Sequence, residues 1–126
     1  MKCVSTECSG FGKLFGNGLY FTDVASKAVS RCGATKLNPE AYLLLCHVNT
    51  GNEFKIGRSK IFKKAPVGYH SVKGCGRYAP VESEQITLDG SSGYSGAVEK
   101  NNEELDELKT KESSLNYNEY VVFDNG

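Results

Sequence analysis

Gly16-Asn17-Gly18-Leu19-Tyr20-Phe21-Thr22-Asp23 is the stretch on which the fold turns. Gly16-Asn17-Gly18 is a turn signal, and the aromatic and apolar run Leu19-Tyr20-Phe21-Thr22 behind it predicts a short strand. Asp23 then stands as the N-cap of a helix through Val24, Ala25, Lys27, Ala28 and Val29, ended near Gly33. On the other side, residues 1–18 are rich in Gly, Ser and Cys, a composition that predicts a lightly packed loop.

Toward the C-terminus, residues 41–48 form a continuous apolar run that predicts a strand buried on both faces, with His47 inside it as a packed or edge histidine. Phe54 and Ile56 alternate with polar neighbours in a short strand, and Lys60, Lys63 and Lys64 make a solvated basic connector before Pro66. Residues 68–80 contain three glycines and read as extended loop. Ile86 and Leu88 predict a strand ending at Asp89-Gly90, and residues 91–96 are flexible by composition. Residues 98–114 are highly charged, with acid early and base late, and fit either an exposed helix or a disordered insertion. Tyr117-Asn118-Glu119-Tyr120-Val121-Val122-Phe123-Asp124 alternates and then fills with apolar groups, the pattern of a buried closing strand. Strands outnumber helices and irregular loops separate them, so a mainly β, α+β domain is favoured over a doubly wound fold.

At 126 residues the chain makes one domain. Fifteen Lys and Arg against fifteen Asp and Glu leave no net field to draw it onto nucleic acid or an anionic membrane. The five cysteines, Cys3, Cys8, Cys32, Cys46 and Cys75, lack CxxC spacing, which argues against a disulfide framework and a zinc site and for reduced structural thiols. The longest apolar stretch, Tyr42-Leu43-Leu44-Leu45-Cys46, is too short to span a bilayer, and no secretory pattern opens the chain. A soluble intracellular protein is expected.

Four segments in one order carry a resemblance: Gly16 through Asp23 as quoted, Gly68-Tyr69-His70-Ser71-Val72-Lys73-Gly74-Cys75-Gly76, Thr87-Leu88-Asp89-Gly90, and the closing segment from Tyr117. Together they resemble the catalytic domain of poly(ADP-ribose) polymerases, with motifs spread over residues 16–124. The resemblance implies a split antiparallel β-sheet ADP-ribosyltransferase fold, here a partial catalytic domain over residues 1–126, incomplete at both ends, with a charged insertion at 98–114. It implies an enzyme that moves ADP-ribose from NAD⁺ to protein acceptors and releases nicotinamide, with NAD⁺ as substrate and no metal. A nuclear location, nucleic-acid contact only through other domains, no membrane partner and completion of the sheet by another chain belong to the same set of expectations.

Residue by residue, Tyr20 matches the motif tyrosine that packs on nicotinamide, and Glu119 matches the catalytic glutamate. A planar cationic pyridinium is well held by an aromatic face. Cleavage of the nicotinamide–ribose bond leaves positive charge on C1′ and the ring oxygen, which a nearby carboxylate stabilises while polarising an acceptor hydroxyl. Gly18, Phe21, Lys27, Ala28, His70 and Ser71 are the further cofactor-binding positions that the resemblance implies. The chain departs from the family pattern at three points. It has no His-Gly upstream of Gly16, and Ala28 and Arg31 stand where the family commonly has serine and tyrosine. These departures motivate an alternative, a catalytically degenerate binding or scaffold domain on the same fold.

Overall fold

The computed structural model describes residues 13–88, 90–110 and 112–123. Its centre is a four-stranded sheet made of β1 (Leu19–Phe21), β8 (Glu119–Val122), β3 (Ser71–Gly74) and β2 (Glu53–Ile56), in that order. β8 runs antiparallel to both neighbours, and β3 and β2 run parallel. The strand nearest the C-terminus therefore lies between strands from the first and middle parts of the chain. Two further two-stranded ribbons pair β4 (Tyr78–Pro80) with β7 (Val98–Lys100) and β5 (Gln85–Leu88) with β6 (Ser91–Tyr94). Among the described residues two short α-helices, α1 (Ala25–Val29) and α2 (Asn102–Glu107), and a 3-10 turn at Glu82–Glu84 complete a mainly β, α+β arrangement.

Register explains where the core lies. Side chains alternate between faces along a strand, so aligned residues share a face across the whole sheet. Tyr20, Val121, Val72 and Phe54 are aligned in one row across all four strands. Tyr20, Val72 and Val121 join Phe15, Leu115 and Phe123 in the buried cluster, and Phe54 packs against it. The next row, Phe21, Tyr120, Lys73 and Lys55, lies on the opposite face. That face is polar: Lys73 lies over the Tyr120 ring at 5.3 Å, and Lys55 and Lys73 both reach Glu104 of α2 at 2.9 Å.

Burial alone would raise the Glu104 carboxyl, but hydrogen bonds from the two lysines outweigh it and hold it below the ordinary carboxylate value. The charged segment at 98–114 thus contributes a strand and a docked helix, with Leu105 buried beneath. Cys75 is fully buried at the end of β3, where loss of solvent pushes its thiol up to about 12.

Several sequence expectations change. Residues 41–48 form no ladder among the described residues beyond a bridge position at Leu44, and Tyr42, Leu44 and Leu45 are exposed along with His47. A continuous apolar run carries no face information, so its pattern cannot say what it packs against. Residues 68–80 hold two strands, β3 central and β4 peripheral, where glycine content suggests loop. Gly74 is there for space: an added Cβ would lie 2.5 Å from the Phe15 ring and 2.6 Å from Leu115. Residues 91–94 pair with β5, where backbone hydrogen bonds outweigh a composition of Ser and Gly. The N-cap of α1 is Val24, whose apolar side chain makes no cap bond, and Asp23 accepts instead from Asn118 and Tyr120. Residues 1–12, Asp89 and Asp124, and the expectations for them, lie outside the described residues.

Candidate active site

Glu119 opens β8 and is only 5 % exposed. It shares a face with Val121, whose partner across the β1 ladder is Tyr20, so the tyrosine and the glutamate stand on one side of the sheet. Tyr20 belongs to the core cluster; its hydroxyl donates to the Gly16 carbonyl at 2.6 Å and accepts from the Phe15 N–H at 3.1 Å. Burial raises the Tyr20 phenol above its ordinary value, the Phe15 N–H opposes this, and the Glu119 charge adds to the rise.

Two cations converge on one oxygen of Glu119. Lys27 Nζ lies 3.1 Å and Arg31 3.9 Å from Oε1, and Lys27 also donates to the Tyr117 carbonyl at 2.8 Å. The two basic residues are four apart, one helical turn, which brings both to the same carboxylate. Burial pushes the Lys27 ammonium below its ordinary value, and the hydrogen bond and charge of Glu119 oppose that. Oε2 is buried without a hydrogen-bond partner among the described residues. A buried carboxylate oxygen lacking a donor is costly, and such an oxygen is a strong acceptor for any hydroxyl brought beside it.

The backbone around Glu119 is tied to the segment after β1. Thr22 Oγ1 donates to the Asn118 carbonyl at 2.8 Å. Asn118 Nδ2 and Tyr120 Oη donate to the same oxygen, Asp23 Oδ2, at 3.1 and 2.9 Å. Gly76 N donates to Asn118 Oδ1 at 2.9 Å. Thr22, Asn118 and Tyr120 are residues that sequence reasoning did not single out, and it read Asp23 only as a helix cap. Their signal lay in the quoted motifs themselves, which hold short polar groups beside the two aromatic and acidic candidates.

The remaining candidate positions divide. Gly18 lets the entry of β1 lie against β8, since an added Cβ would meet Val121 at 2.7 Å and the Val122 carbonyl at 2.9 Å. Ala28 is buried on α1 one residue beyond Lys27. Phe21 pairs with Tyr120 and so faces away from Glu119. Ser71 lies at the far end of β3 from Gly74, the register partner of Glu119, and its hydroxyl donates to Thr50 O at 2.8 Å. His70 Nδ1 accepts from the Asn52 N–H at 2.9 Å. The structure thus joins Lys27 and Arg31 to Glu119, sets Tyr20 on the same sheet face, and does not bring His70 or Ser71 to them. A cleft of about 340 Å³ lined by Lys13, Gly16, Asn17, Ile61, Phe62 and Lys63 contains neither Tyr20 nor Glu119. Among the described residues no three His, Cys, Asp or Glu side chains gather as a metal site.

Comparison with known proteins gives a consistent picture. The family model for the poly(ADP-ribose) polymerase catalytic domain matches residues 1–126. Poly [ADP-ribose] polymerase 1 of Xenopus laevis is 38 % identical over 124 residues, and that of Arabidopsis thaliana is 34 % identical over 124. Poly [ADP-ribose] polymerase 2 of Homo sapiens is 36 % identical over 125 residues. Each alignment covers 98 % of this chain, which spans 12 % of the first two relatives and 21 % of the third.

Proposed function

We propose, since this chain belongs to the poly(ADP-ribose) polymerase catalytic-domain family, that residues 16–124 carry the glutamate side of an NAD⁺-dependent ADP-ribosyltransferase site. The observation that carries this reading is the placement of Tyr20 and Glu119 on one sheet face, with Glu119 Oε2 buried and without a donor among the described residues.

In this mechanism Tyr20 supplies an aromatic wall for nicotinamide, and Glu119 faces the ribose. Breaking the N-glycosidic bond builds positive charge on C1′ and the ring oxygen, and a fixed carboxylate in a water-poor site stabilises that charge strongly. Oε2 accepts from a ribose hydroxyl while Lys27, 3.1 Å from Oε1, holds the carboxylate in place. Nicotinamide leaves with the bonding electrons, and the acceptor hydroxyl oxygen adds at C1′ as its proton passes to water. Glu119 polarises an acceptor hydroxyl in that second step.

Ala28 offers no hydroxyl to the carboxamide, so orientation of nicotinamide rests on backbone groups and on Tyr20. Protein acceptors and a nuclear site of action belong to this reading, as do completion of the sheet by another chain and nucleic-acid contact through other domains. The test is Glu119→Gln in the full-length protein. Transfer of ADP-ribose to protein from labelled NAD⁺ is expected to fall by about 10²–10³, the usual cost of one preorganised electrostatic partner. An unchanged rate in a folded variant would remove Glu119 from the mechanism.

A further inference from the structure

We infer that Asp23 is a positioning residue for this transfer reaction, acting through the two residues that flank Glu119. The inference rests on the reading of Glu119 as the catalytic carboxylate.

The geometry is specific. Residues 118 and 120 bracket Glu119, and their side chains meet at one point, Asp23 Oδ2, at 3.1 Å from Asn118 Nδ2 and 2.9 Å from Tyr120 Oη. On an extended chain the residues on either side of a given position point to the opposite face. A carboxylate that gathers residues 118 and 120 behind the sheet therefore fixes the rotation of the strand about its own axis at residue 119. That rotation sets where the Glu119 carboxylate points on the front face.

Both donors are themselves immobilised. Asn118 is 1 % exposed and accepts from Gly76 N at 2.9 Å through Oδ1, which orients its amide so that Nδ2 faces Asp23. The Tyr120 ring lies under Lys73 Nζ at 5.3 Å, and burial together with the Asp23 charge drives its phenol far above the ordinary value, keeping it a donor. Thr22, next to Asp23, adds the bond to Asn118 O at 2.8 Å. Hydrogen bonds to a charged acceptor are shorter and stronger than neutral ones, so a carboxylate suits this double acceptance. The other oxygen, Oδ1, is buried without a partner among the described residues, so the double acceptance at Oδ2 accounts for the side chain's described hydrogen bonds.

The experiment compares Asp23→Ala, Asp23→Asn and Tyr120→Phe, each alone and combined with Glu119→Gln, in the full-length protein with labelled NAD⁺ and a protein acceptor. A displacement near 1 Å at a reacting group costs on the order of 10²-fold. Asp23→Ala is expected to lower kcat by about that factor, with KM for NAD⁺ changing less than about threefold. Asp23→Asn keeps an oxygen for both donors and is expected to recover at least about tenfold of the loss. Tyr120→Phe removes one donor and is expected to lower kcat by about 3–10-fold. In the Glu119→Gln background all three are expected to change the residual rate less than about threefold, because groups that act as a unit do not multiply.

Losses that multiply onto Glu119→Gln would show Asp23 acting independently and overturn the inference. So would an Asp23→Asn variant as impaired as Asp23→Ala with KM raised, which is the signature of a charge that touches substrate. A loss matched by the fraction unfolded in circular dichroism would make Asp23 merely structural; if Asp23→Ala fails to fold, the Tyr120→Phe pair decides by the same criteria. Failure of the Glu119 reading is separately visible, because Glu119→Gln alone would then leave transfer intact.

Discussion

Replacing Gly76 by alanine tests the packing that holds Glu119 in place. An added Cβ at residue 76 would lie 2.5 Å from the Cα and the carbonyl carbon of Tyr117 and 2.7 Å from its nitrogen. These are backbone atoms, so no side-chain rotation relieves the contact. Ordinary carbon contacts are near 3.5–4.0 Å, so the 117 backbone must retreat by about 1 Å. Overpacking of this kind costs about 1–3 kcal/mol. The same movement stretches the bond from Gly76 N to Asn118 Oδ1, 2.9 Å, and the bond from Asn101 Nδ2 to Gly76 O, 3.1 Å. Losing one such buried bond adds about 1 kcal/mol. The expected destabilisation is about 2–4 kcal/mol, or roughly 6–20 °C in Tm for a domain of this size. Scanning calorimetry of the domain's transition reads the first effect. The second is catalytic: Glu119 lies two residues beyond Tyr117, and a shift of that size is expected to lower ADP-ribosyl transfer by about 10²-fold even well below the transition. A Tm within about 1 °C of the parent, with transfer within threefold, would refute the claim that this close approach sets the position of β8.

Val121→Ala, at a fully buried site in the central row, is expected to cost about 2–3 kcal/mol, read from urea denaturation at constant m-value. The Glu104 carboxyl sits below its ordinary value of 4.5, so between the two values the unfolded chain binds more protons and stability rises with pH. Its contribution is complete above about pH 4.5 and is lost as pH falls through the folded value, and Glu104→Gln is expected to flatten that acid limb in pH-dependent denaturation. Cys75, fully buried with its thiol pushed up to about 12, is expected to resist iodoacetamide at pH 8 in the native protein and to react on unfolding, as followed by mass spectrometry.

Legibility in the sequence followed the periodicity. Tyr117 to Phe123 alternates, and β8 forms there; Phe54 and Ile56 alternate, and β2 forms there. Leu19 to Phe21 after a glycine-rich turn gives β1. The run at 41–48 misled because unbroken apolarity fixes neither a face nor a partner. Residues 71–74 were hidden for a different reason. Ser71-Val72-Lys73-Gly74 carries one strong apolar residue, and its strand character comes from neighbours on both sides, β8 and β2, which a local window cannot contain. For the proposed site, motif resemblance picks out Tyr20, Lys27 and Glu119, whereas Asp23 reads as a helix cap because Asp before a helical segment usually is one. Only the approach of residues 118 and 120 gives it two stronger donors.

The same comparison shows why β8 register matters more than any single contact. A slip of one residue would send Glu119 to the polar face beside Lys73 and bring Tyr120 into the core row with Val72. Several features oppose that slip at once. Gly18 and Gly76 admit β8 only where backbone passes backbone, Val121 fills the row between Tyr20 and Val72, and Asn118 and Tyr120 meet their acceptor behind the sheet. Glu119 itself opposes the native register, because a buried carboxylate with one oxygen lacking a donor among the described residues costs free energy. Lys27 and Arg31 offset part of that cost from the front. The arrangement holds a buried carboxylate where the strand would not place it by preference, which is the relation expected between a stable scaffold and a group it positions.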